Sequence, residues 1–242
     1  MEQLIYTQIG YEQVREFHEV FGHPLNTENQ ISILNDNPKI VQFRLNLIEE
    51  EKNEFIEACN NKDLIETIDA IADTMYVVYG AFHVFGIQYD GCKLLSTELY
   101  NFDEQCNIFE KKYNELYIEI DNLKNSVAKL IYNCIIIKNF DEVVVNLNNI
   151  IKICYIIASL FQVDIDKCFN EVHLSNMTKV CISEEDAIET VEWYKNNEKR
   201  YSDPAYRKST NDKYWIIYDR ETSKILKSIK FKLPDIKSII SK

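Results

Sequence analysis

Glycine and proline are scarce in this chain of 242 residues, with five of the first and four of the second. All five glycines lie at or before Gly91, and no proline occurs between Pro38 and Pro204. A β-sandwich or barrel needs turn residues about every 8–12 positions. Dinucleotide and P-loop phosphate sites need clustered glycines. Neither supply exists, so the expected fold class is all-α. The seven cysteines form no CxxC pair, and the four histidines add no short ligand spacing, which excludes the common zinc sites. Buried free thiols in a reducing, cytoplasmic compartment fit better. A signal peptide's basic start and apolar stretch are missing. The apolar run around residues 150–163 contains Lys152 and is short for a bilayer span, so no membrane partner is expected. A hydrophobic share of 46% with 12% aromatics excludes a disordered acidic protein.

Basic residues are outnumbered, 27 against 39, giving a net charge of -12. Nucleic-acid binding in bulk needs the opposite sign. The charge is uneven. Residues 199–242 hold 12 Lys/Arg against 5 Asp/Glu, while residues 1–198 hold 15 against 34. An acidic helical domain over 1–200 therefore carries a basic tail over 201–242, placed to fold back or to grip a phosphate.

The helices are punctuated clearly. Tyr11–Phe21 reads as a helix closed by Gly22. Pro38 suits the first turn of a second helix reaching about Cys59. Asn60-Asn61 breaks it, and Asp63 caps a third helix running to Phe85 before Gly86. A weaker helix is expected over Asp90–Asn101, then a long one over Glu104–Ile137. Helices over Glu142–Phe161, Asp164–Thr178 and Glu184–Lys199 follow. Trp215–Asp219, a turn at Arg220–Ser223 and Lys224–Phe231 read as a strand hairpin or an ordered tail.

Tyr76–Val84 aligns with Tyr155–Val163 at an offset of 79, with seven of nine positions identical or alike in apolar or small character. The spacing predicts two copies of one helical hairpin, over about 40–90 and 119–168, packed as a four-helix bundle. Chance likeness between apolar helices is the alternative.

Two acidic stripes stand out in the first copy. Glu50, Glu51 and Glu54 share an arc of about 100° on one helix, and Glu66, Asp69 and Asp73 about 60° on the next. Singly, each reads as a solvated face. Together, on antiparallel arms with no matching basic row, they need cations or protons. Hard divalent ions such as Mg²⁺ take such oxygen ligands and keep waters for phosphate. At offset 79 these positions become Lys129, Leu130, Asn133, Val145, Asn148 and Lys152, so every acid is lost in the second copy.

The pattern Glu50-Glu51-x-x-Glu54, then Glu66-x-x-Asp69 and Asp73, resembles the EExxE…ExxD signature of the all-α nucleoside triphosphate pyrophosphohydrolases. These include MazG, the phosphoribosyl-ATP pyrophosphohydrolases and the dimeric dUTPases. Ala72–Gly80, Glu171–Lys179 and the tail from Lys224 to Asp235 resemble MazG-like members of phages and large DNA viruses. Residues of about 92–163 depart from the short single-hairpin members, as a degenerate second hairpin would. The resemblance implies Mg²⁺-dependent hydrolysis of a nucleoside triphosphate to the monophosphate and pyrophosphate, with Mn²⁺ as a substitute ion. It implies Glu51, Glu54, Asp69 and Asp73 as metal ligands, joined by Glu66. Glu50 is a ligand or the carboxylate that deprotonates the attacking water. Asn176 and Lys179 are expected to meet the substrate, with His173, Tyr76, Lys224 and Lys227 as further binding residues. Arg44 is expected to pair with a carboxylate. The runner-up activity is that of a phosphoribosyl-ATP pyrophosphohydrolase, and a non-catalytic helical interaction protein is the reading from another class. A fused pair of hairpins leaves both monomer and homodimer open.

Overall fold

A computed structural model describes residues 9–89, 91 and 108–240. Apart from Gly91, the expected helix over Asp90–Asn101 lies outside the described residues, as do the start of the one from Glu104, Cys92 and Cys106. The fold is all-α with one small sheet. In chain order the elements are α1 (Ile9–Phe21), α2 (Ile33–Asp36), α3 (Pro38–Asn61), α4 (Leu64–Phe85), α5 (Ile108–Lys111), α6 (Tyr113–Tyr132), α7 (Phe140–Leu160), α8 (Ile165–Met177), α9 (Glu184–Asn197), β1 (Pro204–Lys208), β2 (Trp215–Asp219) and α10 (Ile236–Ile240).

The helix starts follow from short polar side chains that satisfy otherwise unpaired N–H groups. Asn37 accepts from Ile40 N, Asp63 from Glu66 N, Asn139 from Glu142 N, Asp164 from Lys167 N and Ser183 from Asp186 N. Pro38 occupies the first turn of α3, where its missing donor costs nothing. α4 stops at Gly86, with φ 71°. Its last carbonyls are buried and are satisfied by the preceding loop. Asn26 N donates to His83 O, Asn26 Nδ2 to Val84 O and Gln30 N to Phe85 O. That loop passes so close that a Cβ on Gly86 would sit 1.8 Å from the Glu28 carbonyl oxygen.

α3 and α4 pack as one hairpin, and α6 and α7 as another. α4 lies on α7, and α3 on α6, which makes the expected four-helix bundle. α1 and α8 pack across α4. Phe55, Tyr79, Phe82 and Phe85 of the first hairpin and Leu130, Leu147, Ile150 and Ile157 of the second are fully buried in one apolar core.

The two hairpins correspond, but in a different register from the offset of 79. Left-handed Lys62 and capping Asp63 match left-handed Lys138 and capping Asn139, an offset of 76. Gly86 and Gln162, both at positive φ, match at the same offset. α6 ends in a π-helical turn, Asn133–Ile137, which inserts one residue. Upstream of it the offset is 75, so buried Val41, Leu45, Ile48, Phe55 and Cys59 fall over buried Leu116, Ile120, Leu123, Leu130 and Cys134. The counterparts of the six acids are then Asn125, Ser126, Lys129, Glu142, Val145 and Asn149. One acid persists, Glu142. Like Glu66, it is third in its helix and its N–H is capped, a place that favours a negative charge whatever its other use.

Among the described residues α7 is the one helix long and apolar enough, by length and composition, to cross a membrane. The expectation of too short a run was therefore wrong, because the helix begins at Phe140. Its Val143, Leu147, Ile150, Cys154 and Ile157 are buried in the bundle core.

Residues 201–240 are not a free tail. The hairpin there is shifted from expectation: β2 pairs antiparallel with β1 upstream, Pro204 opposite Asp219 and Lys208 opposite Trp215. Lys224–Phe231 supplies only an isolated bridge, Tyr218 to Ile225. Pairing stops there because the Tyr194 hydroxyl takes both backbone groups of Lys227, donating to its carbonyl at 3.0 Å and accepting from its N–H at 3.1 Å. Leu226 and Ile217 join Ala187, Val191 and Tyr194 of α9 in a second apolar cluster. A boundary at residue 200 cuts through that cluster. α10 returns to the main core through Ile236 and Ile240.

Candidate active site

The first acidic stripe and Asp73 of the second face one cavity of about 460 Å³. α3 supplies Glu50, Glu51 and Glu54 and α4 supplies Asp73 to its lining. Opposite them stand Lys179, just beyond α8, and Lys224 and Lys227, from the segment after β2. Lys224 Nζ meets both Glu50 oxygens, at 2.8 and 3.0 Å. Its burial opposes the charge, but the Glu50 pair holds its pKa above the ordinary lysine value. The basic segment thus lies on the acidic hairpin, as its charge suggests. Lys227 Nζ also sits over the Phe231 ring, 4.5 Å from its centroid.

The carboxylates are short of positive charge. Burial, then the proximity of Asp73, Glu54 and Glu50, pushes Glu51 up to about 9. Asp69 rises to about 7, through burial and then Asp73 and Glu66. Asp73 rises to about 6 through burial, against the pull of Lys179. Glu54 is raised by burial and by Glu50. Burial also lowers Lys179, although Asp73 opposes this. A group of carboxylates that retains protons so far above the ordinary range has an unmet demand for cations.

A hard divalent ion fits this donor set. Asp69 Oδ1 is buried with no hydrogen-bond partner, and no hydrogen bond or ion pair to Glu51, Glu54 or Asp73 occurs among the described residues. The carboxylates line the wall without converging: among the described residues no three His, Cys, Asp or Glu side chains surround one point. Asp69 and Glu66 lie one and two turns from Asp73 along α4, outside the cavity lining.

The other expected residues separate into two groups. Asn176 and Lys179 line the cavity. Tyr76 also lines it, but its ring is stacked on Phe169 at 5.4 Å and met edge-on by Phe17 at 5.5 Å. Its faces are thus largely committed to the core. His173 is absent from the lining. Its Nδ1 lies 3.1 Å from the Tyr76 hydroxyl and its Nε2 3.2 Å from Glu16, so both nitrogens already have partners within the protein. Asn176 bonds the same hydroxyl. Arg44 pairs with no carboxylate among the described residues, against expectation; it is buried on the opposite side of the cavity beside His18 and Gly80.

That opposite side was missed. Phe17, His18, His23 and Phe43 line it with Arg44. One signal was present: Arg44 interrupts the apolar spacing Val41, Leu45, Ile48, and Gly80 is a lone glycine inside a long helix. The contribution of α1 had no such signal, because only packing brings it to α4.

Residues 14–93 match the family described as phosphoribosyl-ATP pyrophosphohydrolase. This segment spans most of α1 and the whole first hairpin, with all six acids, and stops before the second. Over 96% of its length the chain is 36% identical to "Uncharacterized protein L479" of Acanthamoeba polyphaga mimivirus, of which the match covers 95%. No solved structure matches. The segment bearing the acidic wall thus resembles the phosphoribosyl-ATP pyrophosphohydrolase family, and the whole chain belongs to one protein family with L479.

Proposed function

We propose that this protein is a Mg²⁺-dependent nucleoside triphosphate pyrophosphohydrolase, releasing the nucleoside monophosphate and pyrophosphate. The observation that carries this reading is the pairing of an acidic wall short of cations with three lysines across one cavity, on the segment that matches the pyrophosphohydrolase family. Glu51, Glu54, Asp69 and Asp73 would hold the metal ions, with Glu66 at the outer end of the row. Bound there, Mg²⁺ neutralises the polyphosphate and acidifies water. The chain's own groups do the rest. Lys179, Lys224 and Lys227 draw the phosphates to the wall, and Lys224 exchanges Glu50 for phosphate oxygens. Glu50 takes the proton of the water that attacks the α-phosphorus. The bond from that phosphorus to the bridging oxygen breaks, and pyrophosphate leaves with both bonding electrons.

The role is nucleotide-pool sanitation or supply, inside the cell, where the buried free thiols Cys59, Cys134, Cys154, Cys168 and Cys181 stay reduced. All six acids of this reading come from one hairpin of one chain. The test is pyrophosphate release from a panel of canonical and modified ribo- and deoxynucleotides with Mg²⁺ or Mn²⁺. Phosphoribosyl-ATP belongs in the panel, because the family match favours it as the second reading. Metal-dependent turnover of one or more is expected. If none is turned over and none binds with metal, the chain is a non-catalytic helical protein instead.

A further inference from the structure

Arg44 is only 4% exposed, yet no hydrogen bond or ion pair reaches it among the described residues. A buried guanidinium normally has a carboxylate or several acceptors to offset its lost hydration. Here Nε is sealed without a partner among the described residues, and the guanidinium carbon lies 5.4 Å from the centroid of the Phe43 ring. The residue lines the cavity. Gly80 makes room for it. A Cβ there would lie 2.9 Å from Arg44 Nη1 and 3.1 Å from His18 Nε2. His18 Nδ1 lies 2.9 Å from the Pro24 carbonyl, which can only accept, so that nitrogen carries the proton. Burial and then Arg44 hold the His18 pKa well below its ordinary value, so the ring is neutral and Nε2 is an acceptor.

Arg44 precedes Glu51 by two helical turns on α3, and Gly80 follows Asp73 by two turns on α4. Both intervals are about 10 Å, the scale of a nucleoside. One end of the cavity holds carboxylates and three lysines. The other holds a guanidinium, neutral imidazoles and the rings of Phe17 and Phe43. A triphosphate held at the first end would direct its base to the second.

We propose that Arg44, with His18 beside it over Gly80, reads a keto oxygen of the substrate's nucleobase, so that oxo bases (guanine, hypoxanthine, uracil, thymine) are taken over amino bases (adenine, cytosine). Arginine carries donors and no acceptor. A keto oxygen satisfies it, and the ring N–H next to that oxygen finds His18 Nε2. An exocyclic amino group in the same place sets N–H against N–H and leaves the guanidinium unpaired, which is the kind of mismatch a polar site rejects strongly. This inference rests on the pyrophosphohydrolase reading.

Two substrate pairs isolate the effect, since each differs by oxo against amino at one ring position: inosine against adenosine triphosphate, and dUTP against dCTP. The wild type should favour the oxo member of each pair by about tenfold or more in kcat/KM. Arg44→Gln should bring each ratio to within about twofold, while inhibition by inorganic triphosphate, which has no base, keeps its constant. Gly80→Ala, which displaces the guanidinium without removing it, should do the same and guards against misfolding of the first variant. Hydrolysis without discrimination in the wild type overturns this inference alone. So does a loss in Arg44→Gln that is equal for both members of a pair and for inorganic triphosphate, which would make Arg44 a phosphate ligand. Absence of both binding and turnover for all four nucleotides overturns the pyrophosphohydrolase reading with it.

Discussion

Glu51 bears the strongest pressure of any carboxylate in the site. Burial and three acidic neighbours hold its proton to about pH 9, where an unfolded glutamate loses it near 4.5. The folded, metal-free protein therefore binds more protons than the unfolded chain across that interval, and its stability falls as pH rises through it. Asp69 and Asp73 add the same sign up to about 7 and 6. The melting temperature without divalent ions should thus fall between mildly acidic and alkaline pH. Mg²⁺ should restore it by an amount that grows with pH, as more carboxylates are free to bind it. A Mg²⁺ effect that shrinks with rising pH would contradict this assignment. Glu51→Gln should melt higher than wild type at alkaline pH without metal, because the repelling charge is gone. Glu54→Gln and Asp73→Asn should each lower turnover by about a hundredfold or more with the bundle's helical signal intact. Circular dichroism alongside the rate distinguishes lost chemistry from lost fold.

Helix boundaries were the most legible elements, because they depend on local chemistry. Asp63, Asn139 and Asp164 cap where their short polar side chains imply, and Gly22 and Gly86 end α1 and α4. Asn139→Ala should cost about 1 kcal/mol in denaturant unfolding. Gly86→Ala should cost more, about 2 kcal/mol or above, because φ is positive and the Glu28 carbonyl occupies the space. The first acidic stripe was legible from 3.6-residue spacing, since Glu50, Glu51 and Glu54 share the cavity lining with Asp73, whereas Asp69 and Glu66 fall outside it. Register between the hairpins was not. α4 is buried on nearly every side, so apolar likeness persists under a shift of a few residues, and the π turn at Asn133–Ile137 leaves no mark in composition. The β1 partner of β2 was missed for a related reason. Tyr206, Arg207 and Lys208 carry little strand pattern, and it is the Tyr194 hydroxyl, far away in sequence, that ends pairing on the other side.

At the scale of the whole molecule, two copies of one hairpin share a core but not a charge pattern. The second keeps the caps and the apolar face, and has Asn125, Ser126, Lys129, Val145 and Asn149 where the first has acids. Lys129→Ala, Asn149→Ala and Lys152→Ala should leave metal binding and turnover at wild-type levels, since none of the three faces the cavity lining. The basic segment after β2 closes the site through Lys224 on Glu50, so the acidic body and basic tail act as two walls of one cleft. With Mg²⁺, this cleft should split the bond between the α- and β-phosphates. Phosphorus NMR of the products, from a hydrolysed nucleotide with wild type and with Asp73→Asn, tests it most directly. Monophosphate and pyrophosphate from the wild type alone is the predicted result. Diphosphate with orthophosphate, or equal product from Asp73→Asn, would contradict it.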